Sequence, residues 1–196
     1  MYVTKGDLKE FLGISNNNDD NLLDSLIDKA QTRINAYTNK VFESATATSH
    51  YFTFGRDTDG RTLYFDNYLA SADDLVVTNG DGTVVASNQF VFLPSNQFPA
   101  IAIKLKTNAT VAWTYNDTVE DCISVEGHWS YTESPPDDIV LATLRYSAYL
   151  YRQKDSQVFD QTSTNELGTI TIKSGMPNDV KEILDRYVDL IQWSNN

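Results

Sequence analysis

The sequence predicts an α+β protein: a small helical domain of about four helices, drawn from both chain ends, with an antiparallel β sandwich or barrel inserted between them. Three observations lead there. Apolar residues recur every three to four positions over residues 1–45, every second position over 46–131, and every three to four again over 132–196. The middle segment is rich in aromatic and β-branched residues broken by Gly, Asn and Asp. No Pro/Gly/Ser-rich linker marks either change of period, so residues 1–45 and 132–196 are expected to form one discontinuous domain around a 46–131 β domain. A chain of 196 residues can bury its core without a metal or disulfide staple.

The first helix is expected to be short. Thr4 and Asp7 make a capping-box pattern, Leu8, Phe11 and Leu12 give an apolar face, and Gly13 supplies the stop. A second helix begins at Asp19 or Asp20, where acids favour the helix dipole. It runs through Leu22, Leu23, Leu26, Ile27, Ala30, Ile34 and Tyr37, about five turns of one stripe.

The period then drops to two. Strands are predicted over 50–54, 62–65, 75–78, 83–85, 90–93, 101–106, 111–115 and 123–126, with turns at Arg56 to Gly60, at Asn79-Gly80-Asp81-Gly82 and at Asn108. Helix returns after Ser134-Pro135-Pro136-Asp137, with Ser134 as the expected N-cap, and is read as far as about Gln157. It is apolar almost all round, as a helix buried on several sides would be. A last helix opens at Pro177 with a stripe of Val180, Ile183, Leu184, Tyr187, Val188 and Ile191. Between these helices lies polar Val158 to Met176, with a strand-like patch at Thr169–Lys173. A connection of that length inside a compact domain is usually functional or disordered, and Ile170 and Ile172 are expected to offer a strand edge for pairing across a subunit or portal interface.

A search for chemistry returns no site. The single cysteine, Cys122, reads as a small buried hydrophobe. His50 and His128 lie apart from each other and from Cys122, so no ligand spacing for a metal exists. There is no nucleophile motif, phosphate loop or dinucleotide fingerprint. Asp57-Thr58-Asp59-Gly60 opens like a calcium loop but lacks its later ligands, and Asp with Gly is also what a turn demands. No catalytic residue, metal or cofactor is therefore expected, and the chain is read as a non-enzyme. The net charge of −12, from 27 acids and 15 bases, argues against a grip on phosphates. No run of residues is long and apolar enough for a membrane span.

Three stretches, in order, resemble the tailed-phage head–tail connector family, also called portal-adaptor or head-completion proteins. They are Thr4 to Ile14 with the acidic turn and the Leu22–Tyr37 helix; Val125-Glu126-Gly127-His128-Trp129-Ser130-Tyr131 shortly before Pro135-Pro136-Asp137 and a helix ending Tyr149-Leu150-Tyr151-Arg152-Gln153; and Gly175-Met176-Pro177-Asn178-Asp179-Val180. Compact members join the long helices by a short segment, so the β-rich insertion departs from the pattern. The resemblance implies a homo-oligomeric ring, typically of twelve subunits, at the portal vertex of a virion made in a bacterial cytoplasm. Its implied partners are further copies of itself, the portal protein and the next neck or tail protein, with DNA passing through unheld and no membrane involved. Phe159, Ile170, Ile172, Tyr149 and Trp193 are the expected subunit or portal contacts. The alternative reading of the β domain is a carbohydrate- or host-surface-binding module on a helical base.

The charge balance gives a direct test. A protein with this acid surplus is expected to cause no mobility shift of DNA at about 0.15 M salt. Micromolar binding that weakens steeply with added salt would instead show basic residues gathered on one face.

Overall fold

A computed structural model describes residues 1–154, 162–165, 168–171 and 175–188. It divides into two compact units, Met1–Lys40 with Pro135–Asn196, and Val41–Ser134. The fold is α+β, and the strands form antiparallel sheets that do not close into a barrel.

The helical unit starts with α1 (Lys5–Leu12), fixed by the expected capping box: Asp7 N donates to Thr4 Oγ1 at 3.2 Å, and Thr4 N donates to Asp7 Oδ2 at 2.9 Å. Gly13 ends it in the left-handed region at φ 71°, where Gly carries no steric penalty. Leu8 is fully buried, but Phe11 is 46% exposed, so the expected apolar face of α1 is narrower by that ring.

Helix α2 (Asp20–Thr38) buries Leu23, Leu26, Ile27, Ala30, Ile34 and Thr38. Tyr37 instead sits at the surface, its hydroxyl donating to Asp185 at 2.5 Å. Helix α3 (Asp137–Gln153) begins later than Ser134: Pro136 is the N-cap, and its carbonyl accepts from Ile139 and Val140. Ile139, Ala142, Thr143, Tyr146, Ser147 and Ala148 are buried, and of its seventeen residues only Asp137, Arg145 and Arg152 are exposed. The all-round apolar pattern is explained by packing against α1, α2 and α4 together.

Helix α4 (Asn178–Leu184) buries Val180 and Leu184, then tightens into a 3₁₀ turn at Asp185–Tyr187 rather than continuing straight. That turn is held by Lys40, itself buried, whose Nζ donates to the Tyr187 carbonyl at 2.7 Å. Such a bond also satisfies one of the carbonyls that a helix end leaves unpaired.

The β unit carries β1 (Thr48–Phe52), β2 (Thr58–Asp59), β3 (Thr62–Leu69), β4 (Val76–Thr78), β5 (Phe90–Leu93), β6 (Ala100–Leu105) and β7 (Ile123–Gly127). One sheet has the order β1-β7-β4 and the other β2-β3-β6-β5. Both feed one core: Phe52, Val77, Ile123 and Val125 from the first, with Leu63, Leu69, Phe90, Ile103 and Leu105 from the second. Trp113 and Trp129 complete it, and each buried indole keeps a partner, Nε1 donating to the carbonyls of Arg61 and Thr48. A further antiparallel pair, β8 (Thr162–Asn165) and β9 (Gly168–Thr171), occupies the connection after α3.

Two predicted strands are not strands. Thr83–Val85 touches β4 through a single bridge, Thr78 to Val84, beyond a tight turn in which Gly82 N donates to the Asn79 carbonyl at 2.8 Å. Val111–Tyr115 is held by a side chain instead of a ladder. Buried Asn79 donates Nδ2 to the Ala112 carbonyl and accepts from Thr114 N, at 2.8 and 3.1 Å. One amide side chain thus mimics a strand partner, which period alone cannot reveal.

That packing leaves no room beside Gly80. A Cβ there would meet the Thr114 carbonyl, with Cys122 Sγ and Tyr115 Cα each at 2.9 Å. Gly80→Ala is expected to destabilise by about 1–3 kcal/mol or more. Gly6→Ala, in α1 where a Cβ would meet Thr4 Oγ1 at an ordinary contact distance of 3.5 Å, should stabilise by about 0.5–1 kcal/mol. Thermal midpoints of the two variants, moving in opposite directions from the parent, are the check.

Candidate interaction surface

Among its described residues the helical unit offers a concave feature of distinctive chemistry. A groove of ≈ 280 Å³ is lined by Phe11 of α1, Arg145, Ala148, Tyr149 and Arg152 of α3, and Pro177 and Asp179 at the start of α4. The lining follows from the helix periods. Residues 145, 148, 149 and 152 recur at three- and four-residue spacing and so share one face of α3. Ala148 lies between the two arginines, which stand two turns apart. Arg145 pairs with Asp179 at 3.1 Å. Among the described residues no carboxylate pairs with Arg152. Arginine and aromatic side chains are the types that dominate binding energy at protein interfaces.

The groove's back wall is braced from the other side. Tyr146, fully buried, stacks its ring near Tyr149 with centroids 6.4 Å apart, and its hydroxyl accepts from Arg33 Nη1 at 3.0 Å. The α3 C-terminal end is tied to the start of α2. Asp19 accepts from the Tyr151 hydroxyl at 2.5 Å and from Lys154 Nζ at 2.7 Å. Those bonds, from Lys154 first and then Tyr151, hold the Asp19 carboxyl below its ordinary value and raise Lys154. Asp19 therefore spends its oxygens on α3 and makes no side-chain cap for its own helix.

The β unit carries no comparable constellation. His50 Nδ1 lies 3.0 Å from Asp66 with its ring stacked 4.2 Å from Trp129, and His128 Nδ1 lies 3.1 Å from the Ser44 carbonyl. Asp57 is half-buried, which pushes its carboxyl up. The bonds from Arg56 and the Thr53 amide outweigh this and hold it low. Its oxygens serve the turn, and among the described residues no group of three His, Cys, Asp or Glu is placed to hold a metal. Cys122 is half-buried just before β7, its Sγ 3.3 Å from the Val119 carbonyl. A concavity of ≈ 430 Å³ beside Arg61 and Ala109 to Ala112 has that arginine as its one ionisable lining residue. Tyr51 and Tyr64 stand out from different sheets, at 60% and 50% exposure. No helix among the described residues is long and apolar enough to cross a membrane.

Of the residues expected at contacts, Tyr149 lies in the groove and Ile170 lies in β9. Phe159, Ile172 and Trp193 fall outside the described residues. Sequence reasoning missed Phe11, Arg145 and Arg152 as a group. The spacing of the arginines on α3 was visible, but their meeting with α1 and the Pro177 turn was not.

Comparison with known proteins bears on these units. Residues 6–66 match the model of the family described as phage gp6-like head-tail connector protein. No curated protein matches the sequence. Among solved structures, a chain from the neck of an empty gene transfer agent particle, computed with C6 symmetry, has a similar fold. It is 15% identical at a TM-score of 0.59, over 99% of this chain and 93% of that one. A chain from the virion of a native gene transfer agent particle is 16% identical, with TM-score 0.58 and the same coverage. A chain from the neck of the native particle, computed with C12 symmetry, gives 15% and 0.54 over 89% and 85%. The family match lies on the first of the three stretches that resemble head–tail connectors, and the solved structures share the fold of this chain.

The Asp19 tie responds to pH with a definite sign. Its carboxylate is bound more tightly to its proton-free form in the fold, so its contribution is complete above the ordinary value of 3.8 and is lost as pH falls through the lower folded value. Asp19→Asn is expected to lower the thermal midpoint at pH 7, with the gap to the parent closing below pH 3.8. A gap that is constant from pH 7 to pH 3 would contradict the assignment.

Proposed function

We propose that this chain is a structural subunit of a head–tail connector ring beneath the portal of a tailed phage or phage-like particle, extending the DNA channel and docking the next neck or tail protein. The observation that carries the reading is the connector-family match over 6–66, which covers most of α1, the acidic turn and the whole of α2. A neck chain and a virion chain of gene transfer agent particles, with the same fold along nearly the full length, support it. A neck computed with C12 symmetry suits a dodecamer, the copy number the resemblance implies.

In this reading the protein does mechanical work without chemistry, and it is not an enzyme. The helical unit, built discontinuously from both chain ends, is the ring-forming body, and the β unit between them is the connector's added surface. The groove on α3, with Tyr149 and Arg152, is a subunit or portal contact, as are Phe159, Ile170, Ile172 and Trp193. The virion neck is its place, and host cytoplasm its place of assembly. Passing DNA meets an acid-rich protein: residues 41–134 carry twelve acids against four bases. Like charge lowers affinity for phosphates, so the genome is surrounded without being held.

The test is mass photometry of the full chain alone and with portal particles. Assemblies that are whole multiples of the 22.0 kDa chain are expected, and Arg152→Glu with Tyr149→Ala should cut the assembled fraction at least tenfold. Monomer alone, with or without portal, would overturn the reading.

A further inference from the structure

The pair β8–β9 is a sheet of two strands, and among the described residues no third strand joins it. An isolated two-stranded hairpin is marginal in water, because each strand has one edge of backbone groups unpaired. The register places Thr162 opposite Thr171, Ser163 opposite Ile170, Thr164 opposite Thr169 and Asn165 opposite Gly168. Two residues separate the strands in sequence, so Asn165 and Gly168 are the closing hydrogen-bonded pair and the ladder alternates from there. Ser163 and Ile170 exchange hydrogen bonds within the hairpin. Thr162 and Thr164 on β8, and Thr169 and Thr171 on β9, therefore direct their N–H and C=O groups outward.

Both edges thus present the same Thr-x-Thr unit. Proteins normally guard such edges with charge, proline or a bulge, and neither strand contains a charged residue or proline. β-branched threonine favours the extended state. The edges fit each other: β9 of one copy can accept β8 of the next in antiparallel register. Repeated around an axis this contact is head-to-tail, and it leaves no edge open only when the ring closes.

We infer that the hairpins of neighbouring copies join edge to edge, β9 to β8, into a closed antiparallel β ring with two strands from every subunit. This rests on the ring-forming function proposed above. It commits the hairpin to a second copy of this chain as its partner.

The experiment uses full-length chains with Cys122→Ser. Chains carrying Thr164→Cys are mixed with chains carrying Thr169→Cys and treated with a short bis-maleimide, which tolerates a small register shift. Mass photometry of the same samples reports assembly. At least tenfold more covalent dimer is expected in the mixture than in either variant alone. Thr169→Pro, which removes an outward N–H and spares the bonds inside the hairpin, should reduce assembly at least tenfold with an unchanged melting curve. If the chains assemble but the mixture does not cross-link, the strand pairing is overturned while the ring reading stands. Equal cross-linking of Thr164→Cys with itself would mean β8-to-β8 pairing and would overturn the inference too. Absence of both assembly and cross-link would remove the inference together with the function it rests on.

Discussion

Helix α3 is a segment that water would not tolerate on its own, and the helical unit is organised around covering it. Its buried face comprises Ile139, Ala142, Thr143, Tyr146, Ser147 and Ala148, and its flanks add the half-buried Val140, Leu141, Leu144, Tyr149, Leu150 and Tyr151. Each large apolar side chain fully removed from water contributes about 1.5–3 kcal/mol, so three other helices are drawn onto it. Leu8 of α1 and Leu23 and Ile27 of α2 meet Ala148, with Leu144 and Tyr151 against the same cluster. The polar atoms this buries are largely satisfied in place. Arg33 serves the Tyr146 hydroxyl, and Thr143 Oγ1 donates to the Ile139 carbonyl at 2.7 Å. What α3 leaves uncovered is therefore informative, and it leaves the Arg145–Arg152 face beside Phe11.

The β unit solves the same problem with different parts. Neither sheet could bury its inner face alone, and a single core takes residues from both. Three of its four edges are short: β4 has three residues, β2 two and β5 four, while β1 has five. Short edges limit unwanted pairing. The pair β8–β9 forms a separate two-stranded sheet, joined among the described residues to neither of these two.

Much of this architecture was legible in the residues. The change of hydrophobic period located the helices and the strands, and Thr4, Asp7 and Gly13 fixed α1 to the residue. What was not legible depended on contacts between residues far apart in sequence. Ser134 looked like a cap, yet two prolines delayed the helix until Pro136. Val111–Tyr115 alternated like a strand but took its hydrogen bonds from the Asn79 side chain. Phe11 fitted the apolar face of α1, but the turn before α4 left it at the groove's rim. Of the groove's lining, Tyr149 was singled out in the sequence, while the arginines beside it met Phe11 and Asp179 only once α1 and α4 flanked them.

The central claim is that an over-apolar helix, a connector-like N-terminus and an open hairpin belong to a subunit that closes into a ring around DNA. Electron microscopy of the assembled full-length protein, viewed down its symmetry axis, addresses that claim most directly. The account predicts class averages of one closed ring with rotational symmetry and a central opening wide enough for duplex DNA. Two-fold dimers, open filaments or a ring with no opening would contradict it.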